Sequence, residues 1–146
     1  MDIYKDLYQQ LIIDHNQNPR NFRKLENASH SADGHNPLCG DEITVSLIEK
    51  DGIIEDIAFM GSGCAISKAS ASIMTSTLKG MKVEDAKALF EKFHTLATTG
   101  ESTNDMGKLS VLAGVHKYPA RVKCATLAWH TFRGALNNSQ KIIKTE

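Results

Sequence analysis

The first 19 residues carry an apolar pattern with three-four spacing, which is typical of one face of an amphipathic helix. The apolar positions are Ile3, Tyr4, Leu7, Tyr8, Leu11 and Ile12. Pro19 provides a stop signal. We therefore predict an N-terminal helix of about 15 residues, followed by a turn.

Strand signals follow the polar segment after this helix. Ile43, Val45 and Leu47 alternate with more polar neighbours over Glu42–Ile48, and Asp51-Gly52 is a strong hairpin turn before Ile53–Met60. The pattern predicts two antiparallel strands. A shorter edge strand is expected near Ala28–Gly34.

The second half of the chain returns to helical spacing. Helices are predicted at Ala65–Lys79, Val83–Thr98, Leu109–Val115 and Ala120–Asn137. The order of helix, small sheet and helices indicates an α+β fold, with an antiparallel sheet of about three strands packed against the N-terminal helix and the C-terminal helices.

Length and charge narrow the class of protein. We expect 146 residues to form a single domain, 1–146, that needs neither disulfides nor a metal merely to fold. The 17 basic and 17 acidic residues balance, which argues against nucleic-acid binding by broad phosphate neutralisation. Residues 101–146 nevertheless hold seven bases against three acids, a balance that suits an acidic protein partner. With no signal peptide or membrane-spanning run, we expect a cytoplasmic protein that binds no membrane.

Cys39-Gly40-Asp41 lies where a loop enters the first long predicted strand. In extended backbone the side chains of residues i and i+2 project to the same side, so Cys39 and Asp41 can face one metal ion. Gly40 permits a tight bend between them. The alternative is a buried cysteine beside an aspartate in a turn.

The other two cysteines also lie in settings that favour a thiolate. Cys64 follows Gly61-Ser62-Gly63 and precedes a helix, where the helix dipole lowers a thiol pKa. Cys124 lies in the last helix after Arg121 and Lys123, whose positive charges act in the same direction. A small core cysteine remains the alternative at each position.

Together, the three cysteines and Asp41 make a set of four donors, the coordination number of tetrahedral zinc. Three sulfurs also suit iron–sulfur chemistry. The carboxylate is the hard member of a soft donor set, and we expect it to be the exchangeable one.

Several motifs then resemble a known family, the U-type (NifU- and IscU-like) iron–sulfur cluster assembly proteins. They are Asn36-Pro37-Leu38-Cys39-Gly40-Asp41, Gly61-Ser62-Gly63-Cys64-Ala65-Ile66-Ser67 and Arg121-Val122-Lys123-Cys124-Ala125, together with Asp14-His15 through Asn21. Within the family the chain resembles the SufU branch. Lys123 stands where the scaffold branch has a histidine, and Thr99–Tyr118 resembles the insertion of the SufU branch.

The resemblance implies a SufE/NifU-like fold and a zinc site formed by Cys39, Asp41, Cys64 and Cys124. It implies a sulfurtransferase that accepts persulfide sulfur from a SufS-type cysteine desulfurase and activates it, with other SUF components or apo iron–sulfur proteins as further partners. We expect Cys39 to be the acceptor because a glycine-flanked loop can swing out. Arg121 and Lys123 are candidates for steering the transfer.

Two other functions use the same residues. One is a scaffold that assembles a [2Fe–2S] cluster, binds iron and passes the cluster to apo-proteins; the other is a purely structural zinc domain. His35 and His130 are the histidines nearest the cysteine motifs. A helical wheel places His130 about 120° from the Cys124 face, so we do not expect it to bind metal there.

Overall fold

The strands form one sheet in the order β3-β2-β1-β4. The computed structural model describes residues 3–101, 106–138 and 142–145. The strands are β1 (His30–Asn36), β2 (Asp41–Lys50), β3 (Ile53–Ser62) and β4 (Ile143–Lys144). Asp51 and Gly52 both have positive φ, as the tight turn between β2 and β3 requires. The predicted antiparallel hairpin is confirmed.

The prediction of an antiparallel sheet of about three strands, with an edge strand near Ala28–Gly34, needs correction: the sheet has four strands and is mixed. β1 begins two residues later than expected and lies inside the sheet, because β4 pairs with it in parallel at Gly34 and His35. A two-residue strand leaves no alternating pattern in the sequence. Its pairing depends on the chain returning to β1 after the last helix, which local periodicity cannot reveal.

The helices match their predicted positions within a few residues. They are α1 (Ile3–Gln17), α2 (Ala65–Leu78), α3 (Val83–Thr99), a 3₁₀ helix (Gly107–Lys117) and α4 (Pro119–Leu136). The α+β class is confirmed. The 3₁₀ helix lies in the segment that resembles an insertion, of which residues 102–105 lie outside the described part of the chain.

The core lies between one face of the sheet and the helices. Ile43, Val45 and Leu47 of β2 are buried, as their alternation predicts. α4 packs across β1 and β2, and a side chain at Gly34 would collide with Thr131 of α4. Only glycine therefore allows this close approach.

This packing places three parts of the chain beside one another. The β1–β2 turn, the β3–α2 junction and the first half of α4 meet at one end of the sheet, as contacts among Asn36, Asp41, Cys64 and Cys124 show. Within the described residues, no helix has both the length and the apolar character needed to cross a bilayer.

Candidate metal centre

Cys39 lies on the turn between β1 and β2 and is exposed. The turn is closed by a hydrogen bond from the Gly40 N–H to the Asn36 carbonyl at 2.9 Å. Gly40 has a φ of 74°, a conformation that glycine adopts readily. The backbone is therefore a turn rather than the extended segment assumed from the sequence, and it brings the Cys39 and Asp41 side chains together by a different route.

Asp41 is the first residue of β2, and its side chain is fully buried. Its Oδ1 accepts the main-chain N–H of Cys64 at 2.8 Å, and its Oδ2 accepts the Asn36 amide at 3.3 Å. Within the described residues, no lysine, arginine or histidine forms an ion pair with this carboxylate. A buried carboxylate without a cation is costly, so its charge calls for compensation.

Gly63 makes room for this carboxylate. A Cβ atom at Gly63 would lie 2.6 Å from Oδ1 of Asp41. The glycine before Cys64 is thus required by close packing against a buried charge.

Cys64 caps the N-terminus of α2, as its position before the helix predicts. Its Sγ accepts the Ser67 N–H at 3.4 Å. The hydrogen bond with Cys124, supported by main-chain N–H groups at the start of α2, lowers the pKa of Cys64 to about 7 against the opposing effect of burial. The fold therefore favours a thiolate here.

Cys124 is buried in the second turn of α4. Its Sγ lies 3.4 Å from the Sγ of Cys39 and 3.5 Å from Nδ2 of Asn36. The hydrogen bond to Cys64, burial and the contact with Cys39 all raise the pKa of the Cys124 thiol. The expectation that Arg121 and Lys123 lower the pKa of Cys124 is therefore wrong, because burial and the neighbouring thiols raise it. The Cys124 thiol donates a hydrogen bond to Sγ of Cys39.

Three of these side chains, Cys39, Asp41 and Cys124, converge, and Cys64 lies beside Asp41 without belonging to the mutually close group. The Sγ atoms of Cys39 and Cys124 and a carboxylate oxygen of Asp41 all lie within 4.8 Å of one another, and the Cys64 Sγ lies 3.9 Å from Asp41 Oδ2. Thiolates with one carboxylate form a donor set that zinc accepts, and iron accepts the thiolates. The uncompensated buried charge of Asp41 gives an independent reason for a cation at this place. The residues therefore fit a metal.

Arg121 and Lys123 lie in the first turns of α4, close in sequence to Cys124. The Arg121 guanidinium stacks on the Tyr118 ring at 4.4 Å, and the first turn holds no acidic residue. Cations at a helix N-terminus are opposed by the helix dipole. Their position is therefore unfavourable for helix stability by itself.

The two histidines near the motifs occupy different surroundings. His35 lies on β1, half-buried, opposite Glu42 of β2. His130 packs on α4 against Phe90 and His94, with ring centroids 5.3 and 5.6 Å away. Burial, with the nearby charges of Arg133 and His94, lowers the pKa of His130 to about 4.

Asn36 is the site residue whose role the sequence analysis missed. In the sequence it is only one residue of the Cys39 motif, yet its buried amide contacts both Asp41 and Cys124. An asparagine before Pro37 is typical of a turn. Nothing in the local sequence indicates a contact with Cys124 of α4, 88 residues further along the chain.

The comparisons with known proteins show the family to which the chain belongs. A family model described as the NifU-like N terminal domain matches residues 7–125. The zinc-dependent sulfurtransferase SufU of Bacillus subtilis is 45% identical over 125 residues, covering 84% of each chain. The iron–sulfur cluster assembly scaffold protein IscU of Thermotoga maritima is 41% identical over 138 residues, covering 92% of this chain and 95% of its own.

A solved structure of a related protein has the same fold. The SUF-system protein FiSufU of Fervidobacterium islandicum AW-1 superposes with a TM-score of 0.84 at 32% identity, covering 90% of this chain and 97% of its own.

Proposed function

Because the chain belongs to the NifU-like N-terminal domain family, we propose that it is a zinc-dependent sulfur acceptor of iron–sulfur cluster assembly. Its sulfur donor is the persulfide of a SufS-type cysteine desulfurase, and removal of that sulfur raises the turnover of the desulfurase. The Bacillus subtilis relative named as a zinc-dependent sulfurtransferase supports this function. The observation that carries it is an exposed Cys39 whose sulfur joins a buried group of donors.

The residues that would hold zinc are Cys39, Asp41, Cys64 and Cys124. Bound zinc keeps thiols deprotonated while reducing their reactivity. Two features of the fold favour zinc binding. The contacts of Cys64 lower its pKa, and the Cys64 N–H holds the Asp41 carboxylate in place. A reducing compartment such as the cytoplasm suits free thiols of this kind.

Cys39 is the thiol best placed to accept sulfur. It is exposed on a turn, whereas Cys64 is fixed as the cap of α2 and Cys124 is buried in α4. Movement of the Cys39 side chain breaks one described side-chain contact, that with Cys124. A partner enzyme can therefore reach Cys39 without disturbing a helix.

The transfer is a thiol exchange. The Cys39 thiolate attacks the terminal sulfur of the partner's persulfide, a new S–S bond forms at Cys39, and the bond to the partner's own sulfur breaks. The partner's cysteine leaves as a thiolate, and Cys39 carries the persulfide. No electrons are gained or lost overall, so the step needs no oxidant or reductant.

Arg121 and Lys123 fit a role in meeting the partner. They are cations placed where the helix dipole disfavours them, and no described residue forms an ion pair with either. Positive charge near the start of the helix that carries Cys124 would attract an acidic partner surface.

A scaffold function is the second candidate. Cys39 and Cys124 lie close together and Cys64 lies beside Asp41, so three thiols are available to hold a [2Fe–2S] cluster as cargo. The Thermotoga maritima relative, named as a scaffold, supports this alternative at lower identity. The cluster would then be passed to apo iron–sulfur proteins or to other SUF components.

The experiment is to locate the transferred sulfur. The zinc-loaded protein is mixed with a persulfide-loaded SufS-type desulfurase, and the thiols are blocked and mapped by peptide mass spectrometry. We expect one extra sulfur atom on the Cys39 peptide, and none in Cys39→Ser. Extra sulfur on Cys64 or Cys124 with Cys39 unmodified would contradict the assignment of the acceptor.

A further inference from the structure

The Asn36 side chain links two of the candidate ligands. Asn36 ends β1 and is fully buried. Its Nδ2 donates to Oδ2 of Asp41 at 3.3 Å and to Sγ of Cys124 at 3.5 Å. One amide therefore joins a ligand on β2 to a ligand on α4.

The other end of the same amide shows what sets its orientation. Oδ1 of Asn36 is buried and has no hydrogen-bond partner among the described residues. Turning the amide over would place this oxygen against the carboxylate of Asp41, which has no hydrogen to donate and repels it. The observed orientation keeps both donations, to Asp41 and to Cys124, although it leaves a buried acceptor unpaired; the two ligands therefore determine it.

The main chain of Asn36 also supports the third ligand. Its carbonyl accepts the Gly40 N–H at 2.9 Å and so closes the turn that carries Cys39. Asn36 pairs with Asp41 across the strands. Cys39 is thus attached to Asn36 only through the turn, while Asp41 and Cys124 are held directly by its side chain.

We infer that Asn36 is a positioning residue that makes Asp41 and Cys124 the fixed half of the metal site and leaves Cys39 as the releasable ligand. Its N–H groups draw negative charge from both ligands and orient them, as outer partners of metal ligands do in other proteins. This inference rests on the proposed function for the identity of the released ligand. The link between Asn36 and the metal is testable without any sulfur transfer.

The test compares Asn36→Ala, Asn36→Ser and Asn36→Asp with the unchanged chain. Zinc affinity is measured by competition with a chromophoric chelator, and the site is loaded with Co²⁺ alone to record the thiolate-to-cobalt absorption band. We expect zinc affinity to fall about 10–100-fold in Asn36→Ala. The cobalt band should move to longer wavelength, because a thiolate that loses an N–H donor gives up charge more easily.

The other two substitutions grade the effect. Asn36→Ser keeps a short donor, so its zinc affinity should lie between those of the unchanged chain and Asn36→Ala. Asn36→Asp keeps the shape but removes the N–H donor, so its cobalt band should move to longer wavelength, as in Asn36→Ala. The shift in Asn36→Asp depends on donation to the ligands and not on volume.

The matched control is His35→Ala. His35 is the preceding residue of β1 and makes no described side-chain contact with the ligands. The His35→Ala variant should keep the zinc affinity and the cobalt absorption band of the unchanged chain. Thermal unfolding of each metal-free variant shows whether the chain is folded. If Asn36→Ala and Asn36→Ser do not fold, Asn36→Asp provides the test.

A folded Asn36→Ala or Asn36→Asp with zinc affinity within twofold of the unchanged chain, and with an unchanged cobalt band, would overturn the inference. The proposed function fails by a different result: zinc-loaded protein that does not stimulate a desulfurase. The Asn36 effects on zinc affinity and on the cobalt band would persist in that case.

Discussion

The main-chain N–H of Cys64 donates to Oδ1 of Asp41 at 2.8 Å, so the residue that caps α2 also fixes the buried carboxylate at the start of β2. Two donors that are 23 residues apart in sequence therefore form one unit. The carboxylate has no cation beside it among the described residues, and a bound metal ion would supply the missing charge.

Asp41→Ala separates the two candidate functions. For a zinc-dependent sulfur acceptor, we expect zinc affinity to fall at least about 100-fold, since even the loss of an outer partner costs 10–100-fold. Stimulation of the desulfurase should be lost with the metal. Zinc content and desulfurase turnover measure the two effects.

The control is Asp33→Ala, which removes an exposed carboxylate bonded to Thr44 on the sheet. It should keep both zinc and stimulation. Two results together would favour the scaffold function. Asp41→Ala would retain a stable iron–sulfur cluster, and the unchanged protein would not stimulate the desulfurase.

Gly63→Ala tests the packing around the carboxylate. The new Cβ would lie 2.6 Å from Oδ1 of Asp41, so the carboxylate must shift and zinc affinity should fall about 10-fold. Gly114→Ala is the matched control because a Cβ there meets nothing within 4 Å. Equal zinc affinity in the two variants would show that the position of Asp41 is not set by Gly63.

His130 should make the protein less stable in acid. Its folded-state pKa of about 4 lies below the ordinary value of 6.5, so below pH 6.5 the unfolded chain binds a proton that the folded chain does not. Stability is therefore lost as pH falls from about 6.5 to 4. Allowing for partial solvent exposure, we expect a contribution of about 1–2 kcal/mol.

His130→Gln should flatten this part of the stability curve, as measured by urea unfolding at pH 7 and pH 5. His30→Gln, which removes a half-exposed histidine of β1, should leave the curve unchanged. If the His130 variant lost as much stability between the two pH values as the unchanged protein, burial of His130 would not be the cause.

Arg121→Gln and Lys123→Gln test the two cations near the start of α4. Each should raise the concentration needed for half-maximal desulfurase stimulation about fivefold, equivalent to about 1 kcal/mol, and should weaken the salt dependence. Maximal turnover should change little. Lys50→Gln, at the opposite end of β2 from Asp41, is the control; an equal effect there would indicate a general charge effect.

Much of the fold could be predicted because its signals are local. The alternation along β2, the Asp51-Gly52 turn and the glycines that end helices each act within a few residues. β4 could not be predicted, since two residues carry no period and the pairing partner, Gly34, is more than 100 residues away.

The site shows the same division. Cys39, Asp41, Cys64 and Cys124 could be selected from their residue types and neighbours, and the capping role of Cys64 follows from its place before α2. Asn36 could not, because its importance arises from contacts across the fold. The hardness of a carboxylate predicts Asp41 as the exchangeable donor, but our proposal assigns release to Cys39, because Asp41 is buried and accepts two hydrogen bonds while Cys39 is exposed.

The most direct test of the central claim is the turnover of a SufS-type cysteine desulfurase with this protein in its zinc-loaded and metal-free forms. The account predicts strong stimulation by the zinc-loaded protein, none by the metal-free protein, and recovery when zinc is restored at about one ion per chain. Equal turnover with both forms, or stimulation by a Cys39→Ser protein that retains zinc, would contradict it.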